Sequence, residues 1–550
     1  MQTTHPFASM TTPRTRPVLI ALMVCALLAI GLVYLQTGTF VRLNIYDEGI
    51  IVVGALRVMS GQIPYRDFWT QYSPGQLYAL AGLFQIFGKA IMVERTMDIA
   101  VRALLALMIF ALGARLTTPK LGALVWVLGL LWVQYYGFFG YPIFAGLLFS
   151  FASLYAYIEG MFKPSRRWLF LSGVLLGLEA VFRHDMAIYT GIAQIVVYIA
   201  FTITSRASAP GQPSRRVAQA CLRLLPYFAG ALVALGPMLG FLLTHVPASE
   251  MLDQLFIFPL TVFPKVRRLI YPKFDLLTSD LPFYAPFLIY ALASLIALTK
   301  LYTPRTAKDG HTLDHDRSRA WGILMVALFG LFGFNQSRVR SDTIHTVQFF
   351  LSALTLFPAL LAGAGFPIRA QVLTYLTRTI AVILILVSMV DPIDSYLHQL
   401  NDRDRVASSL NNTLPVARGA LIGPDENFAV RAVQQLTQPG DMVYVGLSRH
   451  DRVFANDAMF YFLMERPNPT RYQELHPGLT NTAPVQREMI ADLERKRVKF
   501  VVLTNMFEGA SEPNDSALST GVTLLDDYIK AHYRFQNTIG SYTILRRRDG

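Results

Sequence analysis

Two adjacent acidic residues, Asp47 and Glu48, follow the first apolar run of the sequence, within the motif NIYDEG at 44–49. A positioned carboxylate can serve as a general base toward a hydroxyl group. Neighbouring residues on a helix point about 100° apart, so we expect only one of the two to face a substrate. In the alternative interpretation, Asp47 caps the following helix and Glu48 favours its positive end.

A third acid, Asp67, lies in the same long segment, residues 37–95, which separates the first two apolar runs. Ordered loops of this length are commonly functional, so Asp67 is a further candidate, with Tyr72 nearby in YSPGQLY. Arg66 stands beside Asp67 and offers an alternative, a surface ion pair that contributes little to stability.

Three ionisable residues, Arg183, His184 and Asp185, stand together between two apolar runs that leave no room for a solvated loop. Charges held at such a place are costly, which favours a binding role. In the alternative interpretation, Glu179 lies four residues before Arg183 on the same helical face and pairs with it.

A second polar cluster, FNQSRVRSDTIH at 334–345, contains Arg338, Arg340, Asp342 and His345. Arginine offers a planar fork of donors to phosphate oxygens, so the cluster predicts a phosphate site. A topological stop with lipid-headgroup contacts is the alternative. A third basic group is balanced by four acids of its own loop, 244–281, and is weaker evidence; it contains Lys265, Arg267, Arg268 and Lys273.

The composition places these residues in a membrane protein. Of 550 residues, 53% are hydrophobic and 15% charged, and the mean hydropathy of +0.40 is too high for a soluble chain of this length. The run at 76–88 is short and predicts an interfacial or re-entrant helix. Eleven longer runs are candidate spans: 18–35, 96–114, 121–136, 142–159, 168–182, 186–204, 224–243, 282–299, 320–335, 346–364 and 374–391.

The net charge of +13 does not predict nucleic acid as a partner, because the positions of the basic residues instead indicate the orientation of the chain in the membrane. With eleven spans and a cytoplasmic N-terminus, the segments 205–223 and 300–319 lie in the cytoplasm, and together they hold nine Lys/Arg against three acids. Positive charge concentrates on the cytoplasmic side of membrane proteins. We therefore expect an integral plasma (inner) membrane protein with an extracytoplasmic C-terminus.

Residues 391–550, the C-terminal module, lose the apolar runs and follow the pattern of an α/β domain. The segments 441–447 and 499–503 are predicted strands, with an amphipathic helix at 484–496 between them. A helix near 522–532 and a strand at 542–545 complete it. The sequence thus predicts an α-helical polytopic membrane domain over 1–390, with interfacial helices in 37–95, followed by an extracytoplasmic α/β domain over 391–550.

A carboxylate and several cations at headgroup depth suit a reaction in which a hydroxyl attacks and a phosphate leaves. No nucleotide supply exists outside the cytoplasm, and the chain contains no GxxxxGK[ST] motif. A lipid-linked activated donor fits that setting, with its prenyl tail between spans and its phosphate at the arginines.

The order of five motifs resembles that of bacterial GT-C glycosyltransferases, a group similar to protein O-mannosyltransferases and lipid A aminoarabinose transferases. The motifs are NIYDEG after the first span, PYRDF, YSPGQLY, RHD and RSDxxH. The resemblance covers the membrane half best, while ELHPG and VQREMIADLE look like the extracytoplasmic domain of uncharacterised bacterial members. Where the aminoarabinose transferases have a Lys-Pro-Pro element, this chain has Tyr72-Ser73-Pro74, which leaves the sugar open.

The resemblance implies that Asp47 holds the catalytic acidic position, with Glu48 and Asp67 as companions. It also implies that Arg183, His184, Arg338, Arg340 and His345 bind the donor phosphate, supported by Asp185, Asp342 and Tyr72. We predict no required cofactor; a divalent cation near the acids is compatible with the pattern, although no tight ligand spacing predicts one.

The sequence therefore predicts an inverting cell-envelope glycosyltransferase that moves a sugar from a polyprenyl-phosphate donor to an extracytoplasmic glycan, lipid or protein. One alternative is a transporter or flippase of lipid-linked sugars, although we find neither midplane charges on broken helices nor repeat symmetry. Another is a membrane-anchored binding scaffold, for which eleven spans are more than an anchor needs.

Overall fold

A computed structural model of the chain describes residues 15–137, 139–163, 165–204, 213–274, 280–302, 310–362 and 371–549. Of these described residues, those up to Asn401 are helical wherever they are regular. The helices are α1 (Thr15–Gln36), α2 (Asp47–Met59), α3 (Gly75–Phe87), α4 (Ile91–Leu116), α5 (Pro119–Tyr135), α6 (Ile143–Phe162), α7 (Arg166–Phe182), α8 (His184–Thr204), α9 (Pro213–His245), α10 (Ala248–Leu252), α11 (Phe258–Thr261), α12 (Phe263–Val266), α13 (Leu281–Tyr302), α14 (Gly310–Val339), α15 (Val347–Ala362), α16 (Gln371–Ser388) and α17 (Val390–Asn401).

Each of the eleven predicted spans falls on one of these helices, which confirms the polytopic helical fold. Nine helices among the described residues are long and apolar enough to cross a membrane, and the other two predicted spans are α5 and α7, with 17 residues each. The last apolar stretch runs from Tyr375 to Asn401 and thus extends beyond the predicted end at 391, because α17 continues α16.

The segment between the first two predicted spans, residues 37–95, is called the first loop. Its short apolar run forms α3, as the length of the run predicts. Thirteen residues of α-helix rise only about 20 Å, less than the roughly 30 Å of a hydrocarbon core. Helix α2 is equally short and largely buried, from Glu48 to Ala55. Both helices are therefore too short to cross a hydrocarbon core.

The long helices pack around one apolar core. Phe151 on α6, Phe329 on α14 and Leu354 on α15 are fully buried in it. On the outside, α1 and α9 expose large apolar side chains such as Val33 and Leu232, at 72% and 70% of their surface. Such a surface suits lipid rather than water.

The C-terminal module is a mixed α/β domain, as predicted. Its elements are α18 (Arg403–Leu410), α19 (Pro424–Leu436), β1 (Val443–Leu447), α20 (Met459–Met464), α21 (Ala483–Arg495), β2 (Phe500–Thr504), α22 (Leu524–His532), β3 (Tyr533–Ile539) and β4 (Tyr542–Arg547). Strands β1 and β2 are parallel, and β4 pairs antiparallel with both β2 and β3, in the order β1-β2-β4-β3.

A second apolar core joins the first loop to this module. Ile51 and Val53 of α2 share it with Phe460 and Leu463 of α20. The approach is close: the backbone N–H of Met459 donates to the carbonyl of Ile45 at 2.9 Å. The module therefore lies directly on the segment that carries Asp47.

Candidate active site

A cavity of about 440 Å³ lies between the first loop, the start of α8, the 255–263 segment and the end of α14. One part of its wall is polar and includes Arg183, Asp185 and His345. The remainder is apolar and consists of Ile143, Ile188, Leu255, Phe256, Pro259, Leu260, Phe263, Val339 and Ile344. The cavity is therefore amphiphilic, with charged and apolar walls side by side.

Asp47 begins α2 but does not cap it, contrary to the alternative interpretation of the sequence. The side-chain oxygen of Asn44 accepts the backbone N–H groups of Tyr46 and Asp47, at 3.1 and 2.9 Å. The Asn44 amide also donates to Asp47 Oδ2 at 3.1 Å. Asn44 thus satisfies the helix start and orients the Asp47 carboxylate.

Asp47 is not among the residues that line the cavity, but it interacts electrostatically with three residues that are. Burial raises the pKa of Asp47, while Asn44, His345 and Arg267 partly offset that rise. Its charge in turn acts on Tyr72 and Tyr141, two residues that line the cavity. The two predicted segments thus share one cavity through Tyr72 and His345, whereas Asp47, Arg338 and Arg340 are not among its lining residues, so their predicted roles stay predictions.

Glu48 points the other way, into the protein. Both of its oxygens bind Arg95, at 2.7 Å from Nε and 3.0 Å from Nη2, and the two side chains are fully buried. Glu48 Oε2 also accepts the backbone N–H of Asn44 at 3.0 Å. Glu48 therefore fixes the turn before Asp47 and does not reach the cavity.

We expect Arg95→Met to destabilise the protein by about 3–5 kcal/mol, because it leaves the buried Glu48 carboxylate without its cation. The measurement is the unfolding midpoint of the purified protein. Arg66→Met is the matched control, since Arg66 pairs with Asp67 at the surface and its loss should change stability little. Equal effects of the two substitutions would contradict this assignment.

Asp67 forms a local structure away from the cavity lining. Its carboxylate accepts the backbone N–H of Ile63 at 2.7 Å and pairs with Arg66 at 2.8 Å. The Arg66 contact lowers the pKa of Asp67. The carboxylate thus closes the turn at 63–67, and its predicted catalytic role stays a prediction.

Arg183 and Asp185 form a bidentate ion pair in the cavity wall, with N–O distances of 2.9 and 2.8 Å. Gln336 of α14 donates to the same Asp185 carboxylate at 2.8 Å. The alternative pairing of Arg183 with Glu179 is wrong: Glu179 accepts hydroxyl groups from Ser150 and Thr190, at 2.5 and 2.8 Å. Arg183 therefore stays at the cavity surface.

His184 also lines the cavity, but both of its ring nitrogens have protein partners. Nδ1 lies 2.8 Å from the Ser73 hydroxyl, and Nε2 lies 2.9 Å from the carbonyl oxygen of Leu255. The imidazole thus ties the first loop to the 255–263 wall. These contacts leave it less free than Arg183 to bind a ligand.

The four predicted residues of the 338–345 cluster take different positions. His345 lines the cavity and holds Asp342 through its Nδ1 atom, at 2.5 Å. Burial raises the pKa of Asp342, but His345 and Arg340 outweigh it and bring the value to about 2. Arg338 is exposed and donates to Asn335 at 2.9 Å.

Arg340 is engaged by two carboxylates, at 2.6 Å from Asp342 and 2.6 Å from Glu512. Glu512 belongs to the C-terminal module, so Arg340 joins the module to the end of α14. Neither Arg340 nor Arg338 belongs to the cavity lining.

Sequence reasoning did not single out Glu474, and it gave Arg267 little weight. Glu474 Oε1 accepts the hydroxyl of Tyr46 at 3.2 Å and the amide of Gln71 at 3.3 Å. Arg267 lies over the Tyr46 ring, 5.9 Å from its centre. The motif ELHPG contains Glu474, but nothing in that motif indicates that Glu474 contacts Tyr46.

Gly49 is required for this approach, since an added Cβ would lie 2.5 Å from the Met459 nitrogen. We expect Gly49→Ala to push α2 from α20 and to lower both the unfolding temperature and activity. Gly82→Ala is the control: a Cβ there meets nothing within 4 Å, so it should be neutral or mildly stabilising. An unfolding temperature unchanged by Gly49→Ala would contradict the tight contact.

Among the described residues, no group of three or more His, Cys, Asp or Glu side chains is placed to hold a metal ion. The arrangement offers instead a carboxylate with a raised pKa, an arginine at the cavity wall and an apolar surface beside them. These groups can remove a proton, hold an anion and contact a hydrocarbon chain.

The sequence matches no protein-family model and no curated protein sequence. Solved structures do resemble it. The structure of ArnT from Cupriavidus metallidurans bound to undecaprenyl phosphate is 13% identical, covers 95% of this chain and 97% of its own, and has a TM-score of 0.54. The Archaeoglobus fulgidus oligosaccharyltransferase tethered with an acceptor peptide is 12% identical, covers 96% and 74%, and scores 0.52.

These matches extend over nearly the whole chain and concern the fold. The chain has a GT-C-like fold, that of membrane glycosyltransferases, which confirms the resemblance drawn from its motifs.

Proposed function

We propose that this protein is an inverting membrane glycosyltransferase that uses a polyprenyl-phosphate sugar. The observation that carries the proposal is the amphiphilic cavity whose wall residues Tyr72, Tyr141 and His345 interact electrostatically with Asp47. Arg183 and His345 supply cationic or hydrogen-bonding groups, while Ile188, Pro259 and Leu260 supply an apolar wall. A lipid-linked sugar phosphate needs both surfaces at once.

In the proposed reaction, Asp47 removes the proton from the acceptor's hydroxyl group, and the oxygen attacks the anomeric carbon of the sugar. The carbon–oxygen bond to the phosphate breaks, and its electron pair stays on the departing phosphate. Arg183 offsets the charge that develops there. A single displacement from the face opposite the phosphate inverts the anomeric centre.

The donor's prenyl chain would run along the apolar wall. Leu260 and Ile188 line the cavity and are also exposed, at 70% and 46% of their surface, so the wall continues to the outside of the helix bundle. Undecaprenyl phosphate, bound in the ArnT structure of the same fold, is a ligand of this chemistry. This likeness supports the donor class and leaves the sugar open.

In the proposed orientation, which the basic segments support, the N-terminus lies in the cytoplasm of a bacterial cell and the C-terminal module lies outside the inner membrane. The acceptor would then be an extracytoplasmic glycan, lipid or protein. Protease protection of the module in sealed inside-out vesicles, compared with spheroplasts, measures this orientation.

Activity is tested with the purified protein and a panel of labelled undecaprenyl-phosphate sugars, with and without cell-envelope extract as acceptor source. Acceptor-dependent release of undecaprenyl phosphate supports a transferase. In sealed vesicles, movement of intact donor lipid without release would instead identify a flippase. Neither release nor movement would favour the binding scaffold and contradict the proposal.

A further inference from the structure

Glu474 of the C-terminal module lies next to the proposed transfer site, which no sequence pattern indicated. It accepts hydrogen bonds from Tyr46, the neighbour of Asp47, and from Gln71, which lines the cavity. Tyr46 and Glu474 are separated by 428 positions in sequence. The contact thus joins the start of α2 to the module.

The segment that carries Glu474 is held firmly on both sides. The amide of Gln473 donates to the carbonyl of Ile50 in α2 at 3.3 Å, and Asn456 accepts the backbone N–H of Leu475 at 2.8 Å. Asn456 also donates to the carbonyl of Gln473 at 2.9 Å. The carboxylate is therefore presented to Tyr46 in a fixed position.

The hydrogen bonding of Glu474 is incomplete for a purely structural residue. The side chain is 1% exposed, yet among the described residues its Oε2 atom has no hydrogen-bond partner. A buried carboxylate oxygen without a hydrogen bond destabilises the folded protein, and an apolar side chain at this position would not. The unpaired Oε2 atom can accept a further hydrogen bond at this site.

We propose, on the basis of the glycosyltransferase function above, that Glu474 is a positioning residue that fixes Tyr46 and Gln71 and adds a second carboxylate beside Asp47. The site is then complete only when the C-terminal module is docked on the first loop. Asp47 remains the base, and Glu474 sets the strength of that base.

The charges around the two acids support this role. Burial raises the pKa of Glu474 to about 7, with a contribution from Asp47 that Tyr46, Arg267 and Gln71 partly offset. Asp47 itself faces Asn44, His345, Asp342 and Arg267. The charge of Asp47 raises the pKa of Glu474, and by the same interaction an ionised Glu474 strengthens Asp47 as a base.

The test is the pH profile of transfer by the full-length protein, with the labelled undecaprenyl-phosphate sugar and extract that support turnover. Wild-type kcat should rise through pH of about 7 as Glu474 loses its proton. Glu474→Gln keeps the size and accepts from Tyr46, and we expect it to lose that rise and about tenfold of kcat at pH 8. Its Kd for undecaprenyl phosphate should be unchanged.

Glu474→Asp should restore part of the rise, which a loss of folding alone would not produce. Glu494→Gln is the matched control: Glu494 also accepts from a tyrosine, Tyr528, at 2.6 Å, but its partners lie within the module. An active wild type with the same pH profile in Glu474→Gln would overturn this proposal alone. An inactive wild type would overturn the proposed function and this inference with it.

Discussion

Asp47→Asn is expected to reduce sugar transfer by about 10²–10⁴-fold, which is the usual contribution of a positioned general base. The amide keeps the size of the side chain and its contact with Asn44 but accepts no proton. Because the Glu48–Arg95 pair and the Asn44 cap hold the turn independently, the variant should fold normally. Single-turnover transfer with a saturating labelled donor is the measurement.

Two controls accompany that variant. The Kd for undecaprenyl phosphate should stay within about twofold of wild type, since the phosphate is assigned to Arg183 rather than to Asp47. Asp67→Asn should lower the rate by less than about tenfold, because Asp67 closes a turn outside the cavity lining. A loss at Asp67 equal to that at Asp47 would place Asp67 in the mechanism.

Arg183→Met should weaken binding of undecaprenyl phosphate by about 30-fold or more. Removing one partner of a hydrogen-bonded charge pair in a partly desolvated site costs about 2–5 kcal/mol, and here it also leaves Asp185 facing the phosphate. Isothermal titration in detergent measures the change in Kd. Low-salt conditions alone should not restore the affinity.

Arg338→Met is the comparison for that measurement. Both arginines were predicted from the sequence to bind phosphate, but Arg338 is exposed and absent from the cavity lining. We expect its Kd to change by less than about threefold. An Arg338→Met loss as large as that of Arg183→Met would contradict the assignment of the phosphate to Arg183.

Much of the fold could be predicted because membrane spans leave a strong signal. A bilayer admits only long apolar helices, so every predicted span corresponds to a helix. In the C-terminal module, β1, β2 and β4 were predicted from apolar runs. Strand β3 was missed because its side chains from Arg534 to Thr538 are exposed, which leaves no apolar pattern.

The site could be predicted only where a local motif carries it. Asp47 and Arg183 stand in short motifs beside the ends of predicted spans, and this position predicts their depth in the membrane. Partner choice could not be predicted in the same way. Glu179 has the right spacing for Arg183, yet the backbone leaves the helix at Arg183 and turns its guanidinium to Asp185. Long-range partners such as Glu474 require the tertiary structure.

The second apolar core has a consequence for biogenesis. Helix α2 is synthesised early in translation, whereas α20 and Glu474 are synthesised more than 400 residues later. Until then, Ile51 and Val53 lack the cover that Phe460 and Leu463 of α20 supply. Such long-range contacts form slowly. A ribosome-bound intermediate should therefore be catalytically inactive, since the site at the start of α2 is completed by residues from the last fifth of the polypeptide.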